Sequence, residues 1–141
     1  MDETPAAAKS ELEPEPESES GPQPRARVWK TPPGVPLCTL ASLPDPGARN
    51  FVLQIGEAFF HGFAVRRGER VFGYVDRCPH AGFPLAQALD RYLTRDGELI
   101  LCSWHGALFR PEDGQCVGGP CAGQALTPWP VAVEGEMVRT A

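Results

Sequence analysis

The chain has 141 residues, enough for one domain with a core that folds alone. It contains 15 Gly and 16 Pro, a composition that favours turns and short strands over long helices. The net charge is −5, but residues 1–24 carry seven acids and one Lys, so the remainder is nearly neutral. This balance gives no basis for nucleic-acid binding, and no apolar run reaches the roughly 18 residues that span a bilayer.

Residues 1–27 are rich in Glu, Pro, Ala and Ser and offer little apolar surface to offset the entropy of ordering. We therefore expect a disordered acidic tail over residues 1–27 and a folded domain over residues 28–141. The tail lacks the basic-then-apolar pattern of a secretion signal, so the expected location is the cytoplasm. In that compartment, metal or redox chemistry is a better use of five Cys than disulfides.

The folded part consists of short apolar runs separated by turn residues. Predicted strands cover residues 37–43, 51–55, 59–66, 71–75, 98–101, 108–110, 115–117, 126–134 and 137–140. Residues 84–96 form the most helix-compatible stretch, either one short helix or a loop. Eight or nine strands with turn signals roughly every 8–12 residues predict an all-β fold, an antiparallel sandwich or barrel-like base.

Two short boxes combine Cys with His. The first is Cys78-Pro79-His80 and the second is Cys102-Ser103-Trp104-His105, and a Gly closely follows each His. Thiolate and imidazole bind soft and borderline metals best, and a tight turn lets both side chains of a box point at one centre. The pattern predicts one inorganic centre bound by Cys78, His80, Cys102 and His105.

These boxes, separated by 21 residues, resemble those of Rieske-type [2Fe-2S] ferredoxins. The resemblance covers about residues 36–140, and Gly118-Gly119-Pro120 is similar to the family's proline loop. It implies one [2Fe-2S] cluster per chain, with the two Cys on one iron and the two His on the other. It also implies a cluster-binding subdomain of about residues 76–121, inserted into the β base as two loops. Because the gap between the boxes is long, residues 86–97 are expected to form a surface insertion near the cluster face.

The combination of two Cys and two His ligands indicates where the reduction potential of the cluster should lie. Two neutral imidazoles in place of thiolates remove negative charge, so the potential lies above that of an all-Cys cluster. High-potential members of the family carry a disulfide between the boxes and Ser and Tyr hydroxyls after the second box. The corresponding residues here are Phe83, Trp104, Ala107 and Phe109, which provide neither. We therefore expect a midpoint near the low end of the roughly −150 to +300 mV range of this cluster class.

The resemblance implies one-electron transfer, with the chain passing electrons from a reductase to an oxygenase or another terminal enzyme. No catalytic centre of its own is visible, so an electron-transfer component is a better expectation than an enzyme. The expected partners are redox proteins, with no nucleic acid and no membrane. One alternative is a small electron-transfer subunit of a reductase, of the nitrite reductase type.

A zinc-stabilised interaction module with the same four ligands is a further alternative. Structural zinc sites usually use C-x2–4-C and H-x3–5-H pairs, whereas each box here mixes Cys with His. The spacing therefore favours the iron-sulfur interpretation, and metal analysis distinguishes the two.

The remaining Cys and one His are expected to be structural. Cys38, Cys116 and Cys121 lie outside the boxes and are expected to be buried free thiols, although Cys116 and Cys121 are close enough in sequence to bridge. A reducing compartment argues against that bridge. His61 lies in an apolar strand pattern and is expected to be structural, and Trp104 is expected to shield the cluster from water.

Overall fold

The computed structural model describes residues 26–79 and 82–141, so residues 1–25 of the predicted tail lie outside the described part. The described residues contain no α-helix, which confirms the predicted all-β class. A one-turn 3-10 helix, Leu40–Ser42, follows the first strand. The strands are β1 (Pro36–Thr39), β2 (Gly47–Ile55), β3 (Ala58–Arg67), β4 (Arg70–Val75), β5 (Ile100–Leu101), β6 (Leu108–Phe109), β7 (Cys116–Gly118), β8 (Val131–Glu134) and β9 (Met137–Thr140).

These strands pair antiparallel in three-stranded sheets with the orders β1-β9-β8, β2-β3-β4 and β5-β6-β7. The predicted strand over residues 126–134 is shorter in the structure and begins at Val131. Pro128 and Pro130 have no N–H to donate to a ladder, which explains the late start. None of the helices in the described residues is long and apolar enough to cross a membrane.

Trp129 fixes the orientation of β3 and β4. Its indole is 2% exposed, lies 4.7 Å from the Phe60 ring and donates from Nε1 to Thr31 Oγ1 at 2.9 Å. Two glycines allow Trp129 to approach this closely. A Cβ at Gly62 would lie 2.8 Å from the indole, and a Cβ at Gly73 would overlap the backbone carbonyl oxygen of Trp129. The strand β4, which leads into the first box, is therefore packed directly against this tryptophan.

Residues 86–99 form an irregular segment rather than a helix. Tyr92 is 2% exposed and stacks on Phe63 with ring centroids 4.2 Å apart and planes inclined by 8°. The side chains from Gln87 to Arg91 are exposed, as expected for a surface insertion. Tyr92 nevertheless anchors this segment in the main core.

The chain pairs with β3 before it reaches the predicted start of the domain at residue 28. Phe59 donates its N–H to the carbonyl oxygen of Ala26 at 2.9 Å, and Val28 donates to Phe59 at 3.0 Å. Arg27 therefore lies against β3, beside the strands that lead to the boxes.

Candidate metal centre

The first box lies in a loop closed by its own backbone. Cys78 donates its N–H to the carbonyl oxygen of Phe83 at 2.8 Å, and Gly82 donates to the carbonyl oxygen of Cys78 at 2.7 Å. Gly82 has a φ of +78°, a conformation that residues with a side chain rarely adopt. His80 lies outside the described residues.

The second box has the same backbone pattern. Cys102 donates to the carbonyl oxygen of Ala107 at 2.8 Å, Gly106 donates to that of Cys102 at 3.0 Å, and Gly106 has a φ of +75°. In both loops the glycine is four residues after the cysteine. The His is two residues after the Cys in the first box and three residues after it in the second, but the two loops have the same backbone hydrogen-bond pattern.

The two cysteines lie together inside the core. Cys78 is 0% exposed and Cys102 is 1% exposed, and their side chains are within hydrogen-bonding reach of each other. Burial raises the pKa of the Cys102 thiol, and Cys78 raises it further, while the backbone N–H groups of Trp104 and His105 act in the opposite direction. Two buried cysteine side chains within reach of each other fit the cysteine end of a metal-thiolate centre.

His105 is exposed, in contrast to the buried cysteines. Among residues 26–79 and 82–141, no three His, Cys, Asp or Glu side chains form a single-ion group. The structure therefore brings together Cys78 and Cys102 of the predicted ligands and leaves His105 at the surface.

The chain leaving the first loop packs against the second loop. Leu85 accepts a hydrogen bond from the N–H of Ser103 at 2.8 Å, and Trp104 Nε1 donates to the carbonyl oxygen of Pro84 at 2.7 Å. The rings of Phe83 and Trp104 lie 5.6 Å apart and are 55% and 45% exposed. Trp104 thus joins the two loops at the surface rather than in the interior.

A buried carboxylate that sequence reasoning missed holds the first loop. Asp76 is 4% exposed; its Oδ1 accepts from the Leu85 N–H at 3.0 Å, and its Oδ2 accepts from Tyr92 Oη at 2.8 Å and Asn50 Nδ2 at 3.2 Å. Burial and the charge of Asp76 raise the pKa of Tyr92, so its hydroxyl remains a donor. Asp is rarely buried, and the only sequence signal was its position between β4 and the first box.

The predicted proline loop packs directly on the second loop. Gly119 has a φ of +85°, and a Cβ there would lie 2.8 Å from Ala107 Cα and 2.9 Å from the carbonyl oxygen of Gly106. Only glycine fits such an approach without displacing backbone. The contact places the predicted proline loop against the loop that contains Cys102 and His105.

The expectation of free thiols at Cys116 and Cys121 was wrong, because the two residues form a disulfide across the proline loop. Their Cα atoms are 5.9 Å apart, the usual spacing for such a bond. The two cysteines are close enough in sequence to form this bond, which the expected reducing compartment does not predict. Cys38 is free and half-buried. His61 is also half-buried, and burial lowers its pKa.

The family model described as "Rieske [2Fe-2S] domain" matches residues 35–133, which include both boxes and the proline loop. No curated protein sequence matches the chain.

Among solved structures, the ferredoxin of carbazole 1,9a-dioxygenase from Nocardioides aromaticivorans IC177 is 21% identical, with a TM-score of 0.57 over 77% of this chain and 98% of that one. A Sphingomonas yanoikuyae B1 ferredoxin is 24% identical, with a TM-score of 0.56 over 75% and 95% of the two chains. The terminal oxygenase from the same Nocardioides strain is 20% identical, with a TM-score of 0.61 over 75% of this chain and 29% of that one. These likenesses show a shared fold.

Proposed function

The chain belongs to the Rieske [2Fe-2S] domain family, and from that premise we propose that it is a one-electron carrier that passes electrons from a reductase to an oxygenase. Its cofactor is a [2Fe-2S] cluster, which when bound takes up and releases one electron at a time. We propose that Cys78 and Cys102 bind one iron and that His80 and His105 bind the other.

The observation that carries this proposal is the contrast between the two ends of the site. The thiols of Cys78 and Cys102 are buried side by side, whereas His105, in a loop of the same backbone geometry, is exposed. A centre held in this way is insulated from water at its cysteine end. Its histidine end lies within reach of a partner protein.

An oxygenase is the proposed electron acceptor because of the proteins that share the fold. One of them is a complex of reduced oxygenase and oxidised ferredoxin in carbazole 1,9a-dioxygenase, in which the aligned chain is 24% identical, with a TM-score of 0.60 over 76% of this chain and 91% of that one. The present chain spans only 29% of the terminal oxygenase. The proposal therefore concerns electron delivery and not oxygenation.

Metal and sulfide analysis tests the cofactor assignment. Freshly purified protein is expected to contain about two iron and two acid-labile sulfide per chain and to give a paramagnetic signal after reduction with dithionite. C78S and H105Q should lose this signal, whereas C38S, which alters a thiol outside the boxes, should retain it. Colourless protein containing zinc would contradict the proposal.

Electron delivery is tested separately. The reduced protein, mixed with a Rieske-type oxygenase and its substrate, should be reoxidised faster than in the absence of the oxygenase. Purification as a stable complex with a nitrite-reductase-type enzyme would instead indicate a reductase subunit.

We also propose a cytoplasmic location. The free thiol of Cys38, which is not a proposed ligand, supports it, whereas the Cys116–Cys121 disulfide is more typical of oxidising compartments. Cell fractionation with an antibody to the protein distinguishes a cytoplasmic location from an oxidising compartment.

A further inference from the structure

The indole of Trp29 lies close to two arginines. The Cζ atom of Arg27 is 4.8 Å from the centroid of the indole and that of Arg77 is 5.6 Å from it. Both distances are within the roughly 6 Å range of cation–π contacts. Trp29 is 46% exposed, so this group, which we term the arginine stack, is a surface feature.

The arginine stack has unused hydrogen-bond donors. Nε and Nη2 of Arg27 are buried and have no hydrogen-bond acceptor. A guanidinium is always charged, and the face of an indole offers it electrostatic attraction but no lone pair. Buried donors without acceptors are unfavourable, and no carboxylate of the described residues pairs with these two donors of Arg27, so their positive charge is left without a hydrogen-bonded acceptor.

The arginine stack lies against the first loop of the candidate centre. Arg77 immediately precedes Cys78, and a Cβ at Gly82 would be 3.8 Å from Nε and Nη2 of Arg77. Arg27 is held beside β3 through its pairing with Phe59. Arg77 thus lies beside the loop through which a partner would approach the centre, and Arg27 contacts the same indole as Arg77.

On the basis of the proposed function, we propose that the arginine stack is the charged part of the docking surface for a redox partner whose matching face is acidic. Carboxylates of that partner would accept hydrogen bonds from the exposed Arg77, for which the planar guanidinium is well suited, and the charge of the half-buried Arg27 would attract them electrostatically. Because residues 1–24 carry seven acids and one Lys, the rest of the chain is nearly neutral, and the two arginines add a local positive charge to its surface. Such a local charge selects partners and accelerates their association at low salt.

Binding of a labelled hexaglutamate peptide, followed by fluorescence anisotropy at low salt, tests the surface directly. The wild-type protein should bind the peptide and release it as salt is added, and R27Q/R77Q should raise Kd about tenfold, the loss expected for charge-assisted hydrogen bonds. R70Q is the matched control, because Arg70 also covers an aromatic ring, that of Phe72 at 4.9 Å, but lies at the opposite end of β4. Equal Kd values for R70Q and R27Q/R77Q would overturn the proposal.

The single variant R77Q provides the test in case the double variant does not fold, because the Arg77 side chain is exposed and its replacement should not disturb the core. It should weaken peptide binding while retaining the wild-type circular dichroism spectrum. Wild-type affinity in a folded R77Q would count against the arginine stack.

Oxidation of the reduced protein by small complexes provides a second readout. With ferricyanide, an anion, the wild-type rate constant should fall as salt is added, and R27Q/R77Q should be several-fold slower at low salt. With tris(phenanthroline)cobalt(III), a cation, the same substitutions should not slow the reaction. A ferricyanide rate that rises with salt in the wild type, as the net charge alone dictates, would overturn the proposal.

The chain's own acidic residues 11–19 are a competing occupant of the arginine stack. Deletion of residues 1–24 should leave peptide binding unchanged if the surface serves a partner; binding that appears only after deletion assigns the surface to this segment and overturns the partner proposal. Failure of the proposed function is distinguishable, because protein without iron and sulfide fails the cofactor analysis whatever its affinity for the peptide.

Discussion

The carboxylate of Asp76 accepts a hydrogen bond from the backbone N–H of Leu85 at 3.0 Å and thereby joins the two ends of the loop that begins at Cys78. The second oxygen of the same carboxylate accepts from Tyr92 and Asn50. One buried acid therefore connects the end of β4, the first loop and the segment that carries Tyr92.

Replacing Asp76 by Ala should destabilise the protein strongly. The Leu85 N–H and the Tyr92 hydroxyl would lose their acceptor at about 1–3 kcal/mol each, whereas Asn50 Nδ2 also donates to Tyr92 Oη, so we expect a loss of roughly 2 kcal/mol or more in the free energy of unfolding. Urea unfolding of the cluster-containing protein measures it. D96A, which removes an exposed acid that also accepts two hydrogen bonds, should cost much less because water replaces the carboxylate. Equal losses in the two variants would contradict the assignment.

Gly119→Ala and Gly123→Ala form a matched pair. Both glycines have a positive φ, +85° and +83°, but a Cβ at Gly119 would meet Ala107 and Gly106 whereas one at Gly123 meets nothing within 4 Å. We expect G123A to cost about 1–2 kcal/mol through its backbone conformation alone, and G119A to cost distinctly more. G119A should also lose its visible absorbance faster on warming, because the proline loop is displaced from the second loop. Similar melting temperatures for the two variants would argue against this close packing.

Removing the Cys116–Cys121 disulfide should lower the free energy of unfolding only modestly, because the loop that it closes is short. Cys116 and Cys121 lie five positions apart, and for a loop of this length the chain-entropy relation gives roughly 2 kcal/mol. C116S/C121S should therefore melt below the wild type and, unlike the wild type, be insensitive to dithiothreitol. Alkylation of the unfolded, metal-free protein should modify three cysteines without reductant and five with it. Modification of five without reductant would rule out the bond.

His61→Gln should make the protein less sensitive to acid. Burial and the positive charge of Arg27 lower the folded-state pKa of His61 below its ordinary value of 6.5, against an opposing effect of Asp76. The unfolded chain therefore binds the proton more readily, and the contribution of His61 to stability is complete above pH 6.5 and is lost as the pH falls towards the folded-state pKa. Between about pH 7 and pH 5, the melting temperature of H61Q should fall less than that of the wild type. Parallel curves would show that His61 does not titrate in this range.

The reduction potential should lie near the low end of its class. Ala107 and Phe109 occupy the positions where high-potential relatives carry hydroxyl groups, and both are 0% exposed here. A107S should raise the midpoint by on the order of tens of millivolts if the new hydroxyl donates to the centre, since hydrogen bonds to the sulfurs tune this potential. A spectroscopic redox titration measures both proteins. A wild-type midpoint well above zero would contradict the expectation.

The strands and the boxes could be predicted because their signals are local. The predicted strand over residues 59–66 differs from β3 by one residue at each end, and the predicted strand over residues 137–140 coincides with β9. Alternating apolar residues and turn glycines determine such segments over a few positions. The ligand types and their spacing likewise need no knowledge of the rest of the chain.

The features that sequence reasoning missed depend on distant partners. The burial of Asp76 is compensated by Tyr92 and Asn50, which are 16 and 26 positions away. Residues 84–96 have helix-compatible spacing, but stacking of Tyr92 on Phe63 holds this segment in an irregular path. The arginine stack joins residues 27, 29 and 77, whose proximity no local pattern reveals.

The shared backbone geometry of the two loops has a consequence for insertion of the cofactor. Each loop is closed by a backbone hydrogen bond of its own, from Cys78 to Phe83 and from Cys102 to Ala107, so we expect both loops to keep their conformation before iron is bound. At the proposed centre Cys78 and Cys102 are buried and His105 is exposed. If iron and sulfide are delivered at the exposed histidine end, cofactor delivery and partner docking use the same face of the molecule and exclude each other.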